Sequence, residues 1–92
     1  MTRPPPRLAD LPAPPPGRAG WPWTEAPPPL AGDWPAVALV TPSYNQAAYL
    51  EETLRSVLLQ GYPNLHYTVI DGASTDGSAE ILRRYAPWLD HW

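Results

Sequence analysis

The sequence predicts an α/β fold in the order strand, helix, strand, helix, preceded by an irregular proline-rich leader. Three observations carry this. Twelve of the 15 prolines lie at or before Pro35. Two short apolar runs follow, "AVALVT" and "LHYTVID". Each run leads through a small-residue turn into a segment with apolar residues at helical spacing.

Residues 1–35 hold "RPPPR", "PAPPPG" and "APPPL", with Gly17, Gly20 and Gly32 between them. Proline removes amide donors and fixes φ, so such a stretch is extended polyproline II and builds neither ladder nor helix. The expectation is a disordered or semi-rigid leader over 1–35 and a folded domain over 36–92. Arg3 and Arg7 flank the first proline run, which suits an SH3-like or WW-like groove. A solvated spacer is the preferred reading, because this composition is common. Trp21 and Trp23 in "GWPWTE" are unusual for a spacer, and either pack on the following domain or form a sticky short motif.

The run "AVALVT" is too continuous for a strand with a wet face, and fits a buried parallel strand. Pro42 biases Thr41 towards extended geometry, and Asn45 is placed to N-cap the next helix. In "AAYLEETLRSVLLQG", Leu50, Leu54, Val57 and Leu58 make one apolar stripe. Glu51 and Arg55 read as an outward i, i+4 pair, Gly61 suits the residue after the helix, and Pro63 blocks continuation. "LHYTVID" is a β-branched and aromatic strand. "SAEILRRY" is a second helix with Leu82 and Tyr85 inward, Thr75 or Asp76 as its cap and Pro87 as its stop. The spacing predicts strands near 37–41 and 66–70 and helices near 46–60 and 77–85. A helical crossover makes the strands parallel and the connection right-handed.

Composition excludes several functions. Six basic and nine acidic residues give a net charge of −3 and a pI of about 5.1, so neither a nucleic-acid surface nor a polybasic membrane patch is expected. There is no cysteine, hence no disulfide frame and no thiolate metal site. The first residues lack the apolar core of a secretory signal, and no apolar run approaches the ~18 residues of a membrane span. A soluble, cytoplasmic protein is the expectation. With fewer than 60 residues left after the leader, and a two-stranded sheet, cooperative unfolding is expected to be weak.

Parallel strands bring "PSYN" and "DGASTD" to one sheet edge, where a tyrosine ring, an asparagine amide, two carboxylates, hydroxyls and the amides of two helix N-termini converge. That set suits a base, a ribose and a phosphate. The G-x-G-x-x-G of a dinucleotide fold and the G-x-x-x-x-G-K-S/T of a P-loop are both missing.

The stretch "ALVTPSYNQAAYLEETLRSVLLQGYPNLHYTVIDGASTDGSAEIL" closely resembles the opening of family 2 glycosyltransferases: an apolar strand, P-x-Y-N, a helix ending near S-v-l-x-Q-x-Y-P, and a strand ending in D-D/G-x-S-x-D-x-[ST]. The resemblance covers Ala36 to about Trp92. It implies the β-α-β-α start of a GT-A, Rossmann-like nucleotide-sugar-binding domain. It further implies transfer of a sugar from a nucleotide-diphosphate sugar to an acceptor hydroxyl with inversion, a divalent Mn or Mg ion held by a later D-x-D, and a later Asp or Glu as general base. The implied nucleotide-binding residues are Pro42, Ser43, Tyr44, Asn45, Asp71, Gly72 and Asp76. Asp76 reads more simply as a helix cap.

Two departures matter. Gly72 stands where many members have a second acid that meets the base, so uridine, guanosine and thymidine donors all stay open. No D-x-D occurs between Met1 and Trp92, and no residue is assignable as general base or metal ligand. His66 and His91 read as exposed strand and tail residues, and Glu51, Glu52 and Glu80 as solvated helix faces. The expectation is therefore an amino-terminal portion, inactive alone, whose complete protein works in the cytoplasm or at the inner face of the membrane. The alternatives are a non-catalytic relic and a proline-rich binding module.

Overall fold

The computed structural model describes residues 5–92; Arg3, expected to flank a groove ligand, lies outside them. Strand β1 (Val37–Ser43), helix α1 (Ala47–Leu58), strand β2 (Leu65–Asp71) and helix α2 (Ser78–Tyr85) follow in that order. β1 and β2 pair in parallel from Val37↔Leu65 to Ser43↔Asp71, as the crossover requires. β1 runs two residues further than the sequence pattern suggests, because Pro42 occupies a position on an outer strand where no amide is needed, and β2 gains one residue at each end.

The stripe on α1 is buried as its spacing dictates: Leu50, Leu54 and Leu58 are at most 3% exposed. They meet Tyr67 and Val69 of β2 and Leu82 and Tyr85 of α2 in one core. Tyr67 and Val69 alternate with His66 and Ile70, which are exposed, so both helices stand over the same face of β2. α1 ends at Leu58 with Leu59 as its C-cap, Gly61 has φ +75°, and Pro63 follows.

Beyond α2, a 3₁₀ turn (Ala86–Trp88) swings the chain back to the far edge of β2. There Val69 N–H donates to the His91 carbonyl, Asp90 N–H donates to the Tyr67 carbonyl, and Thr68 and His91 form a parallel bridge. β2 is thus flanked on both sides and β1 on one.

β1 departs from the buried strand expected of its apolar run. Val40 is 58% exposed, and Ile70, on the same sheet face, is 59% exposed. The cause is that the two helices cover β2, leaving the outer edge and the opposite face of the sheet bare among the described residues.

Among its described residues the leader has no helix or strand apart from a 3₁₀ turn (Leu8–Asp10). Even so, it packs on the domain. Leu11 and Trp23 are buried, which decides the indole question for Trp23, while Trp21 stays exposed. The expected outward Glu51–Arg55 pair is corrected by this packing: Arg55 is 1% exposed because the leader crosses that face of α1, and Glu51 is 7% exposed beside Tyr85 and Arg84 of α2. The Arg55 guanidinium donates from Nε to Pro22 O (2.8 Å), from Nη1 to Pro12 O (2.9 Å) and from Nη2 to Trp23 O (2.8 Å). Nη1 also donates to the Tyr85 hydroxyl, which donates in turn to Glu51 Oε2. The guanidinium groups of Arg18 and Arg55 both lie over the Trp23 ring, each 5.3 Å from its centroid. Burial pushes the Tyr85 hydroxyl up to about 12, with Arg55 opposing and Glu51 reinforcing the rise. It therefore stays protonated and can donate to the carboxylate.

Candidate functional site

The carboxyl ends of β1 and β2 are laced together beyond the sheet. Gly72 N–H donates to Ser43 O (2.8 Å), continuing the ladder by one bond. Asn45 N–H donates to Ser74 Oγ, and Thr75 N–H donates to Asn45 Oδ1, both at 2.8 Å. Ala47 N–H donates to Asp76 Oδ2 at 2.9 Å. The expected N-cap role of Asn45 is corrected by this pattern. With φ +48°, Asn45 sits one residue before Gln46, the N-cap, and its amide oxygen turns across to the other loop.

Asp71 Oδ2 accepts from the Ser74 amide at 3.0 Å, and Asp71 Oδ1 accepts from the Ser74 hydroxyl. This is a local Asx-type turn that fixes the carboxylate. Asp76 Oδ1 accepts from Ser78 N–H (3.2 Å) and Ser78 Oγ (2.7 Å); the N-cap of α2 is Gly77 rather than Thr75 or Asp76, and Asp76, one residue earlier, still satisfies the first amide of the helix. Thr75 spends its amide on Asn45. The Ser78 hydroxyl and then the Ala47 amide hold the Asp76 carboxyl below its ordinary value.

A shallow groove of about 340 Å³ opens on the bare face of the sheet, lined by Pro42, Ser43, Tyr44, Gln46, Ile70 and Gly72. Tyr44 is 62% exposed, and its Cδ1 lies 3.3 Å from where a Cβ on residue 72 would be. Glycine there lets the ring lie against the loop backbone. Below the groove, Thr41 and Tyr67 share a hydroxyl hydrogen bond of 2.7 Å, and burial raises the Tyr67 pKa. The Ser43 hydroxyl is buried without a partner among the described residues.

The structure thus gathers all seven sequence-nominated residues at one edge and sorts them. Pro42, Ser43, Tyr44 and Gly72 line the groove, whereas the side chains of Asn45, Asp71 and Asp76 bond to the loops themselves. Sequence reasoning missed Gln46 and Ile70 as lining, and Ser74 and Ser78 as the hydroxyls that hold the acids. The hydroxyl spacing in "DGASTDGS" was the available signal. Among the described residues no group of three His, Asp or Glu side chains is placed to hold a metal ion, and no helix is long and apolar enough to cross a membrane.

This edge and this chain order define a class. The glycosyl transferase family 2 pattern matches residues 38–92, and the chain belongs to that family. Among its curated relatives, TuaG of Bacillus subtilis, whose name assigns it to teichuronic acid biosynthesis as a glycosyltransferase, is 45% identical over 51 residues, covering 55% of this chain and 20% of that protein. Glycosyltransferase GlyA of Streptococcus pneumoniae serotype 4 is 34% identical over 55 residues, covering 60% of this chain and 8% of its own length. Glycosyltransferase AglE of Haloferax volcanii is 36% identical over 59 residues, covering 62% of this chain and 19% of its own. The chain therefore spans a fifth or less of these relatives. No solved structure matches it.

Proposed function

We propose that this chain supplies the donor-nucleoside end of a glycosyltransferase that moves a sugar from a nucleotide-diphosphate sugar to an acceptor hydroxyl. The observation that carries the reading is the groove at the carboxyl edge, where an exposed Tyr44 ring stands beside Pro42 and Ile70. Aromatic and apolar walls suit the face of a base, and the amide of Gln46 offers a donor and an acceptor to its edge. Asp71, fixed by Ser74, is within the same loop pair and suits a ribose hydroxyl. In an inverting transfer the acceptor oxygen bonds to the anomeric carbon as the bond to the diphosphate oxygen breaks, and the acceptor's proton passes to a base. No residue of this chain is assigned that base. Among the described residues no group of three His, Asp or Glu side chains is placed to hold a metal ion, and the roles given to these residues are separate from the Mn or Mg ion that the resemblance implies for the complete enzyme. The complete protein is assigned to the cytoplasm or the inner face of the membrane.

The test is a titration of the full chain by ¹H–¹⁵N NMR with uridine, guanosine and thymidine diphosphates, with and without Mn²⁺ or Mg²⁺. Shifts confined to Tyr44, Gln46, Ile70 and Gly72, weak and insensitive to the metal, are expected. Shifts centred on the leader, or none with any nucleotide, would overturn the reading.

A further inference from the structure

The lacing between the two loops has a period. Residues 43, 45 and 47 each bond to the second loop, through Gly72, through Ser74 with Thr75, and through Asp76 respectively. Residues 42, 44 and 46 line the groove without bonding across, and Ser43, whose carbonyl makes the first rung, borders it as well. The bonding of every second residue to the neighbouring segment, as in a sheet, is thus carried past the end of β1 and into the first turn of α1. It persists where the backbone is no longer a strand, since Asn45 is left-handed.

Asp76 holds the last of these rungs, and its two oxygens divide the work. Oδ1 serves α2 through Ser78, and Oδ2 reaches across to Ala47, the first residue of α1. Residues with a single side-chain oxygen at this point can make the local turn to residue 78, as serine does, but cannot serve both helices at these angles. We propose that Asp76 is a positioning residue for the nucleoside site: by tying the start of α1 to the start of α2 it turns Tyr44 and Gln46 into the groove. This rests on the donor reading above for its ligand, though not for its geometry.

The carboxylate is fully exposed, so replacing it leaves the core untouched. Asp76→Ser keeps a hydroxyl for the Ser78 amide and removes the bond to Ala47. Ser78→Ala does the reverse: it takes one partner from Oδ1 and leaves Oδ2 on Ala47. In the full chain without ligand, Asp76→Ser is expected to speed hydrogen exchange at the Ala47 amide roughly tenfold, the loss typical of one helix cap. It should also shift the Tyr44 ring and Gln46 side-chain resonances, with Leu54 and Leu82 methyl signals unchanged. Ser78→Ala should leave Tyr44 and Gln46 at their wild-type positions. With nucleoside diphosphate, Asp76→Ser should weaken binding roughly fivefold to tenfold, and Ser78→Ala should not. Equal effects of the two variants on Tyr44, or no effect of Asp76→Ser on the Ala47 amide, would reduce Asp76 to a partner of α2 alone and overturn the proposal. If the wild-type chain binds no nucleotide, the donor reading falls, while the ligand-free exchange and ring shifts still decide the positioning role.

Discussion

Replacing Arg55 by methionine is expected to release the leader while leaving α1 intact. Methionine keeps an unbranched stem of similar reach and good helix propensity, but offers no donor. Four acceptors lose their partner: the carbonyls of Pro12, Pro22 and Trp23 and the Tyr85 hydroxyl. The Trp23 ring loses one of the two cations that lie over it. Hydrogen bonds from a charged donor contribute about 1.5–3 kcal/mol each, and breaking a buried ionic network costs about 3–5 kcal/mol in total. The leader escapes part of this by returning its carbonyls to water, and the variant no longer buries a charge. A net loss of about 3 kcal/mol results, which is roughly a hundredfold in the undocked population. Arg18 reports it directly, since it is exposed yet its guanidinium lies against Trp23. Where opening is fast relative to cleavage, the tryptic rate after Arg18 tracks the open population. The rate should rise about a hundredfold, with far-ultraviolet circular dichroism preserved; Arg55→Lys, with one compact ammonium in place of a fork, should fall between. An unchanged rate in Arg55→Met would refute the account of how the leader is held.

Tyr85→Phe removes the hydroxyl that receives Arg55 and donates to Glu51, and should raise hydrogen exchange across α2 roughly tenfold, about one charge-assisted hydrogen bond; exchange at wild-type rates would contradict it. The Asp76 carboxyl has a folded pKa below its ordinary 3.8. Its stabilising bonds are therefore fully present above the unfolded value and are lost as pH falls below 3.8 through the lower folded value. The Ala47 and Ser78 amide resonances should hold steady from neutral pH to about the unfolded carboxylate value and move only below it. Gly61→Ala combines a φ of +75° with a Cβ 2.7 Å from the Pro29 backbone; it should cost about 1–2 kcal/mol for the left-handed backbone alone and also speed cleavage after Arg18. Alanine there without effect on the leader would show that the Pro29 approach is slack.

The strand and helix order was legible because it depends on local period: four α1 leucines and valines at helical spacing, and Tyr67 and Val69 two apart. The meeting of the two loops at the candidate site was legible because Tyr44 and Asp71 follow from strand ends that share one edge. Arg55 was not. A Glu and an Arg four apart on a helix describe a wet face unless something covers it, and the cover lies 32–43 residues earlier in sequence. The exposure of Val40 was likewise hidden, since an apolar run states what a strand prefers and not what is there to bury it. Asn45 suggests a cap by its type and place. Its partner is 30 residues away, and nothing local distinguishes a side chain that turns back from one that turns across.

Arg55 recognises the leader through three carbonyl oxygens, a group that every amino acid carries. Such a grip is nearly blind to side-chain identity, so the segment over Pro12 and Pro22 can drift in sequence without loosening as long as the path of its backbone is kept, and proline is the residue that keeps a path at least entropic cost. A comparison of letters sees little of this; the family pattern starts at residue 38, although the chain before it is wrapped on a helix inside the match. Grafting or trimming this domain at the apparent family boundary would therefore strand a guanidinium, and the practical unit for expression and design begins well upstream of it.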